Sequence, residues 1–113
     1  IHYLRSNQAG PKKSEVILFK SDPKSTLKSV LETACEVLTV VDKKRSIYFI
    51  ENVKFHVDDV RNLGSFVEIE AIDKNGSIGE EKLTEQCQFY MDLFEIKNED
   101  LVEISYSDLL MKQ

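Results

Sequence analysis

Cysteine is nearly absent from this chain of 113 residues, with only Cys35 and Cys87. Two cysteines at apolar positions of predicted helices exclude a disulfide framework and a cysteine-rich metal site. They read as buried free thiols of an intracellular protein. No apolar run approaches the ~18 residues that a membrane span needs. No secretory signal pattern opens the chain. The expected location is the cytoplasm, with no membrane partner. Internal repeats, low-complexity tracts and linkers are missing too, so residues 1–113 read as one domain with a modest core. Positive charge is in deficit, with a net charge of −5, which argues against non-specific nucleic-acid binding.

What is present is ordinary in bulk and uneven in placement. The chain is 42% hydrophobic and 31% charged, as soluble domains are. Residues 1–54 carry ten Lys/Arg against six Asp/Glu, and residues 55–113 carry five against fourteen. Such a split suits a site where cations grip phosphates and carboxylates grip metal. Chance produces it as well in a chain this short.

Residues 1–6 read as a strand, 7–11 as a turn and 15–20 as a second strand. Asp22-Pro23 marks a helix start. Leu27, Val30, Leu31, Ala34, Cys35 and Leu38 follow at helical spacing, on a face expected to pack on a sheet. A strand is expected over 40–50, with Lys43 and Arg45 on one face and Lys44 on the other. After a loop at 73–79, a second helix is expected from about Glu80 to Phe94. Residues 101–107 read as a last short strand, and residues 105–110 as a tail docked on the domain.

The stretch from Phe55 to Glu70 organises the rest. Two runs rich in Val, Ile and Phe flank a polar turn at Asn62-Leu63-Gly64, which is a β-hairpin pattern. Alternation puts Lys54, His56 and Asp58 on one face of the first strand, and Phe66, Glu68 and Glu70 on one face of the second. Simple pairing brings Asp58, Glu68 and Glu70 onto one polar surface. Their repulsion would be offset by a hard cation such as Mg²⁺ or Mn²⁺, which prefers oxygen ligands. The plainer reading of the same alternation is the solvated face of a half-exposed sheet.

The ordered set is more specific than its parts. His56-x-Asp58-x-Val60, then Leu63-Gly64-x-Phe66-Val67-Glu68-Ile69-Glu70, resembles the C-terminal half of the CYTH superfamily. That superfamily groups class IV adenylyl cyclases with thiamine triphosphatases and inorganic triphosphatases. Asn7-Gln8-Ala9-Gly10-Pro11-Lys12 after Tyr3-Leu4-Arg5, and the basic run Val41-Asp42-Lys43-Lys44-Arg45-Ser46-Ile47-Tyr48, match in register. Ser105-Tyr106-Ser107-Asp108-Leu109-Leu110 resembles the ending of the cyclase-like branch.

The resemblance implies an α+β fold: an antiparallel β-barrel or tunnel of about eight strands with two helices packed outside, incomplete in this chain. It implies that Arg5, Lys12, Lys43 and Arg45 bind a triphosphate. Lys54 stands where relatives often carry Arg, and so loses the two-pronged grip. Asp58 is assigned the catalytic role, and Glu68, Glu70 and Asp58 the Mg²⁺ or Mn²⁺. The expected ligand is a nucleoside triphosphate or another triphosphate. The expected reaction is conversion of ATP to 3′,5′-cyclic AMP and pyrophosphate. The alternatives are hydrolysis of thiamine triphosphate or inorganic triphosphate, and binding of nucleotide or polyphosphate without turnover. His56 reads as a general base, as a partner of Asp58, or as a plain structural histidine. Tyr48 and Phe66 read as nucleotide-pocket or core aromatics. The family's Glu-x-Glu-x-Lys strand has no match in residues 1–113. The N-terminal strands are therefore expected to be missing from this chain, and its open edge to pair with that segment or with a second copy in a homodimer.

Overall fold

Alternating apolar and polar residues over 43–71, broken by two short turns, fold into an antiparallel meander. In the computed structural model, which describes residues 2–4 and 8–113, β3 (Lys43–Ile50), β4 (Val53–Val60) and β5 (Gly64–Ala71) form a sheet of order β3-β4-β5. The β3–β4 turn is Glu51-Asn52, with Glu51 in the left-handed region at φ 53°. The β4–β5 turn sits at the expected Asn-Leu-Gly. Asn62 takes φ 69° and Gly64 φ 101°. Asn tolerates the first of these values, and glycine meets no Cβ penalty at the second.

A separate two-stranded antiparallel sheet joins β1 (His2–Leu4) to β2 (Glu15–Ile17). The described strands thus form two separate sheets and close no barrel, where the resemblance led us to expect a barrel incomplete in this chain. Closure links strand number, tilt and stagger, and three paired strands leave two open edges. The described residues form three α-helices rather than two: α1 (Leu27–Ala34), α2 (Glu80–Leu93) and α3 (Tyr106–Met111). None of them, among the described residues, is long and apolar enough to cross a membrane.

Register assigns the faces. Arg45, Asp58 and Phe66 are cross-strand neighbours, and so are Ile47, His56 and Glu68, and Phe49, Lys54 and Glu70. These side chains share one face. The other face carries Phe55, and α2 packs against it. Phe55 meets Tyr90 edge-on at 4.8 Å between ring centroids, and Phe94 at 5.8 Å. Such pairs add about 0.5–1.5 kcal/mol beyond area burial. Asn52 and Gln86 exchange side-chain hydrogen bonds at 2.9 Å in both directions, fixing α2 against the first turn. Among the described residues, the five buried ones, Val53, Phe55, His56, Asp58 and Val60, all lie on β4. Its position between two strands pairs its backbone on both edges, while Val57 and Asp59 of the same strand stay exposed.

The structure corrects several sequence expectations. Asp22 does not cap α1. Its Oδ1 accepts the Lys24 N–H at 2.8 Å in a local turn, and the helix starts at Leu27. A side chain that bonds two residues ahead competes with helix initiation. The helix stops at Ala34, short of Leu38, and Cys35 is exposed rather than buried. Val30 and Leu31 stay about half exposed, so the apolar face of α1 is not seated on a sheet. Cys87 on α2 is half-buried, and burial pushes its thiol up from the ordinary range. Residues 101–107 form no strand. A 3₁₀ turn (Asn98–Asp100) and an extended segment lead into α3.

Candidate functional site

Three strands contribute in turn to the polar face of the larger sheet. β3 supplies Lys43 and Arg45, β4 supplies Lys54, His56 and Asp58, and β5 supplies Glu68 and Glu70. Arg45 donates from Nε to Asp58 Oδ1 at 2.7 Å and from Nη2 to Oδ2 at 2.6 Å. This two-pronged geometry is the strongest form of a charge-assisted hydrogen bond. The same Nη2 reaches Glu68 Oε2 at 3.2 Å. Lys43 Nζ stands 3.9 Å from Asp58 Oδ2, and Lys54 Nζ 3.0 Å from Glu70 Oε2.

Asp58 is the anchor. Its side chain has no solvent exposure, and a buried carboxylate is stable only when paired and hydrogen-bonded. The Arg45 guanidinium holds its carboxyl below the usual carboxylate range against the opposing effect of burial, and the Tyr106 hydroxyl adds to the depression. Reciprocally, the bond to Asp58 raises the Arg45 guanidinium above its ordinary value. Tyr106, the first residue of α3, donates to Asp58 Oδ2 at 2.9 Å. Burial and then this bond push its phenol well up from the ordinary range.

His56 is buried, and its Nδ1 lies 2.9 Å from Glu68 Oε2. Its partner is therefore Glu68 and not Asp58, as the register dictates. Glu68 and Glu70 keep 45% and 47% side-chain exposure, which leaves both open to a ligand. Phe66 packs under Tyr106 at 4.9 Å between centroids. Tyr48 lies on the opposite face, opposite Phe55, and is 59% exposed.

Asp58, Glu68 and Glu70 share the face, as alternation requires, but each is matched by a cation of the chain. Arg45 takes both oxygens of Asp58, Arg45 and His56 share Glu68, and Lys54 takes Glu70. Among the described residues, no three His, Cys, Asp or Glu side chains come close enough together to hold a metal ion. As arranged, these residues do not fit a resident divalent ion, because Arg45 occupies both oxygens of Asp58 and no third ligand stands with Glu68 and Glu70 among the described residues. Arg5 lies outside the described residues. Lys12 donates to the Gln8 and Glu103 carbonyls, both at 3.2 Å, against the segment that leads into α3 and not on the sheet face.

Sequence reasoning missed the contact of Tyr106 with Asp58. The two residues are 48 positions apart, and no local periodicity reports a contact at that separation. It also missed Phe49, which shares the polar face beyond Ile47 and is 65% exposed. Phe49 lines a cavity of about 440 Å³ with Asn52, Ile72, Asn75 and Ser77.

No curated protein and no solved structure matches the chain. The family model described as CYTH domain matches residues 4–106. That span takes in β3, β4 and β5 whole and ends on Tyr106, the residue that closes the site from α3. The chain belongs to the CYTH domain family, whose functions are directed at triphosphates.

Proposed function

We propose that the polar face of the β3-β4-β5 sheet binds the triphosphate chain of ATP, and that the reaction is cyclisation. In that reaction the ribose 3′-hydroxyl gives up its proton to solvent as its oxygen bonds to the α-phosphorus, the bond from that phosphorus to the bridging oxygen breaks, and pyrophosphate leaves. The observation that carries the reading is the row of three cations, Lys43, Arg45 and Lys54, on one face with Arg45 locked in place by a buried carboxylate. Phosphoryl chemistry is mainly positioning and charge neutralisation, and a pre-oriented guanidinium supplies both.

Asp58 then acts through Arg45. It holds the fork and does not touch the substrate. Lys43 and Arg45 face the phosphates, and Lys54 lies toward the α-phosphate end. The cavity beside Phe49 supports a nucleotide over inorganic triphosphate. Phe49 is four residues along the strand from Arg45, or about 14 Å, in the direction in which a base would extend. Glu68 and Glu70 would contact a divalent ion only as part of a metal-bound substrate.

The test is product analysis. The protein is incubated with ATP and Mg²⁺ or Mn²⁺, with thiamine triphosphate and inorganic tripolyphosphate in parallel. Cyclic AMP with pyrophosphate, lost in Arg45→Ala, is the expected result. Orthophosphate alone moves the reading to a triphosphatase. Calorimetric binding without product leaves a binding module, and no binding of any triphosphate removes the proposal.

A further inference from the structure

The segment Ser105-Tyr106-Ser107-Asp108 stands out in the sequence, yet its spacing assigns it no chemistry. Its geometry does. Ser105 Oγ accepts the Asp108 N–H at 3.2 Å and donates to Asp108 Oδ2 at 2.6 Å, while Asp108 Oδ2 accepts the Ser105 N–H at 3.2 Å. This reciprocal cap fixes the start of α3, and Tyr106 is the first helical residue. One side chain then touches three parts of the polar face. Its ring lies on Phe66, its hydroxyl donates to Asp58 Oδ2, and Lys43 Nζ sits 5.0 Å from the ring centroid.

The donors around Asp58 give this contact its meaning. Oδ1 receives Arg45 Nε, and Oδ2 receives Arg45 Nη2 and the Tyr106 hydroxyl. Lys43 is held off at 3.9 Å, beyond hydrogen-bond length. Remove the hydroxyl, and a buried carboxylate oxygen loses a donor, which is costly. The Lys43 ammonium is placed to replace it. It would leave the Tyr106 ring, where it gains cation–π attraction, and collapse onto Asp58.

We propose that Tyr106 is a positioning residue of the triphosphate site, holding Lys43 apart from Asp58 so that Lys43 and Arg45 both face the ligand. This rests on the triphosphate reading above and adds a division of labour to it. The hydroxyl completes the coordination of Asp58, the ring carries Lys43, and the capped helix fixes both to the sheet.

The experiment uses the full chain and Tyr106→Phe, which keeps the ring and deletes one oxygen. Without ligand, nuclear magnetic resonance of the lysine ε-methylene and ammonium groups reads the position of Lys43. The expected result is loss of the ring-current shift of Lys43 in the variant. An unchanged Lys43 signal overturns the proposal. With inorganic tripolyphosphate as probe, Tyr106→Phe is expected to bind about 5-fold more weakly. Combining it with Lys43→Ala should then cost nothing beyond Lys43→Ala alone, because the effect runs through Lys43. Additive losses overturn the proposal, since a merely structural role for α3 gives additivity. If wild-type protein does not bind tripolyphosphate, the triphosphate reading fails, and with it the ligand-facing role; the Lys43 signal separately decides whether Tyr106 holds that lysine. Should Tyr106→Phe not fold, Ser105→Ala loosens the cap without touching Asp58. It is expected to move the Lys43 signal in the same direction, and no movement there overturns the proposal.

Discussion

Arg45 and Asp58 face each other across β3 and β4 and close a two-point ion pair at 2.7 and 2.6 Å. The arginine is 25% exposed at its side chain and the aspartate not at all. One end of the pair belongs to the core and the other to the surface. A single contact therefore ties fold stability to the disposition of the candidate site.

Removing one partner is expected to cost more than removing both. Asp58→Ala leaves Arg45 without its counter-charge, and Arg45→Ala leaves a buried anion. Breaking a buried pair typically costs about 3–5 kcal/mol. Replacing both residues with apolar side chains of similar size, Arg45→Met with Asp58→Leu, should cost less than either single change. Urea denaturation midpoints check the order. A double variant less stable than both singles would show that the pair contributes more than its desolvation costs.

Acid stability follows from the depressed carboxyl of Asp58. The folded state holds this group below its ordinary value, so the unfolded chain binds the proton first as pH falls. The stabilisation is fully present above the unfolded carboxylate pKa of about 3.9. It is lost as pH falls through the lower folded value. Asp58→Asn should flatten the acid limb of a stability–pH profile measured by circular dichroism. An acid limb unchanged in Asp58→Asn would place the titration in other carboxylates.

The hairpin was readable because a period of two depends only on local order. Asn62 and Gly64 then set the turn, so the faces of β4 and β5 follow. Arg45, the cation opposite Asp58, was harder to place. That placement needs the β3–β4 register, which depends on where Glu51-Asn52 turns. The carboxylates therefore suggested a metal, while the fold brings Arg45 to Asp58 and Glu68. The length of α1 was overestimated because helical spacing continues past Ala34, whereas Asp22 spends its side chain on a local turn. Tyr106 had no local signal at all. Residues 101–107 read as a strand and 105–110 as a docked tail, so neither α3 nor its target was legible.

At the alkaline end the sign comes from Tyr106. Burial and the bond to Asp58 raise its phenol above the ordinary tyrosine value of about 10. The folded chain keeps the proton where the unfolded chain releases it. This contribution is complete below pH 10.0 and declines as pH rises toward the folded value. Tyr106→Phe should abolish that part of the alkaline decline, while phenolate absorbance of the other tyrosines still appears. A decline of equal slope in wild type and variant would mean that another group governs it.

The Lys54–Glu70 pair separates two uses of the same face. Its partners are 3.0 Å apart, and Glu70 is about half exposed. Such a pair contributes at most about 1 kcal/mol to stability. Glu70→Gln should therefore leave the melting midpoint nearly unchanged, while it frees Lys54 and removes a charge that repels phosphate. Without divalent metal, tripolyphosphate binding by calorimetry should tighten about 2–5-fold, the range that one exposed charge supplies. With Mg²⁺ or Mn²⁺ present, the same substitution discriminates. A carboxylate that only balances Lys54 gives the same tightening with metal as without. A carboxylate that reaches a substrate-bound ion gives weaker metal-dependent binding in Glu70→Gln, and the reversal of sign between the two titrations is its signature.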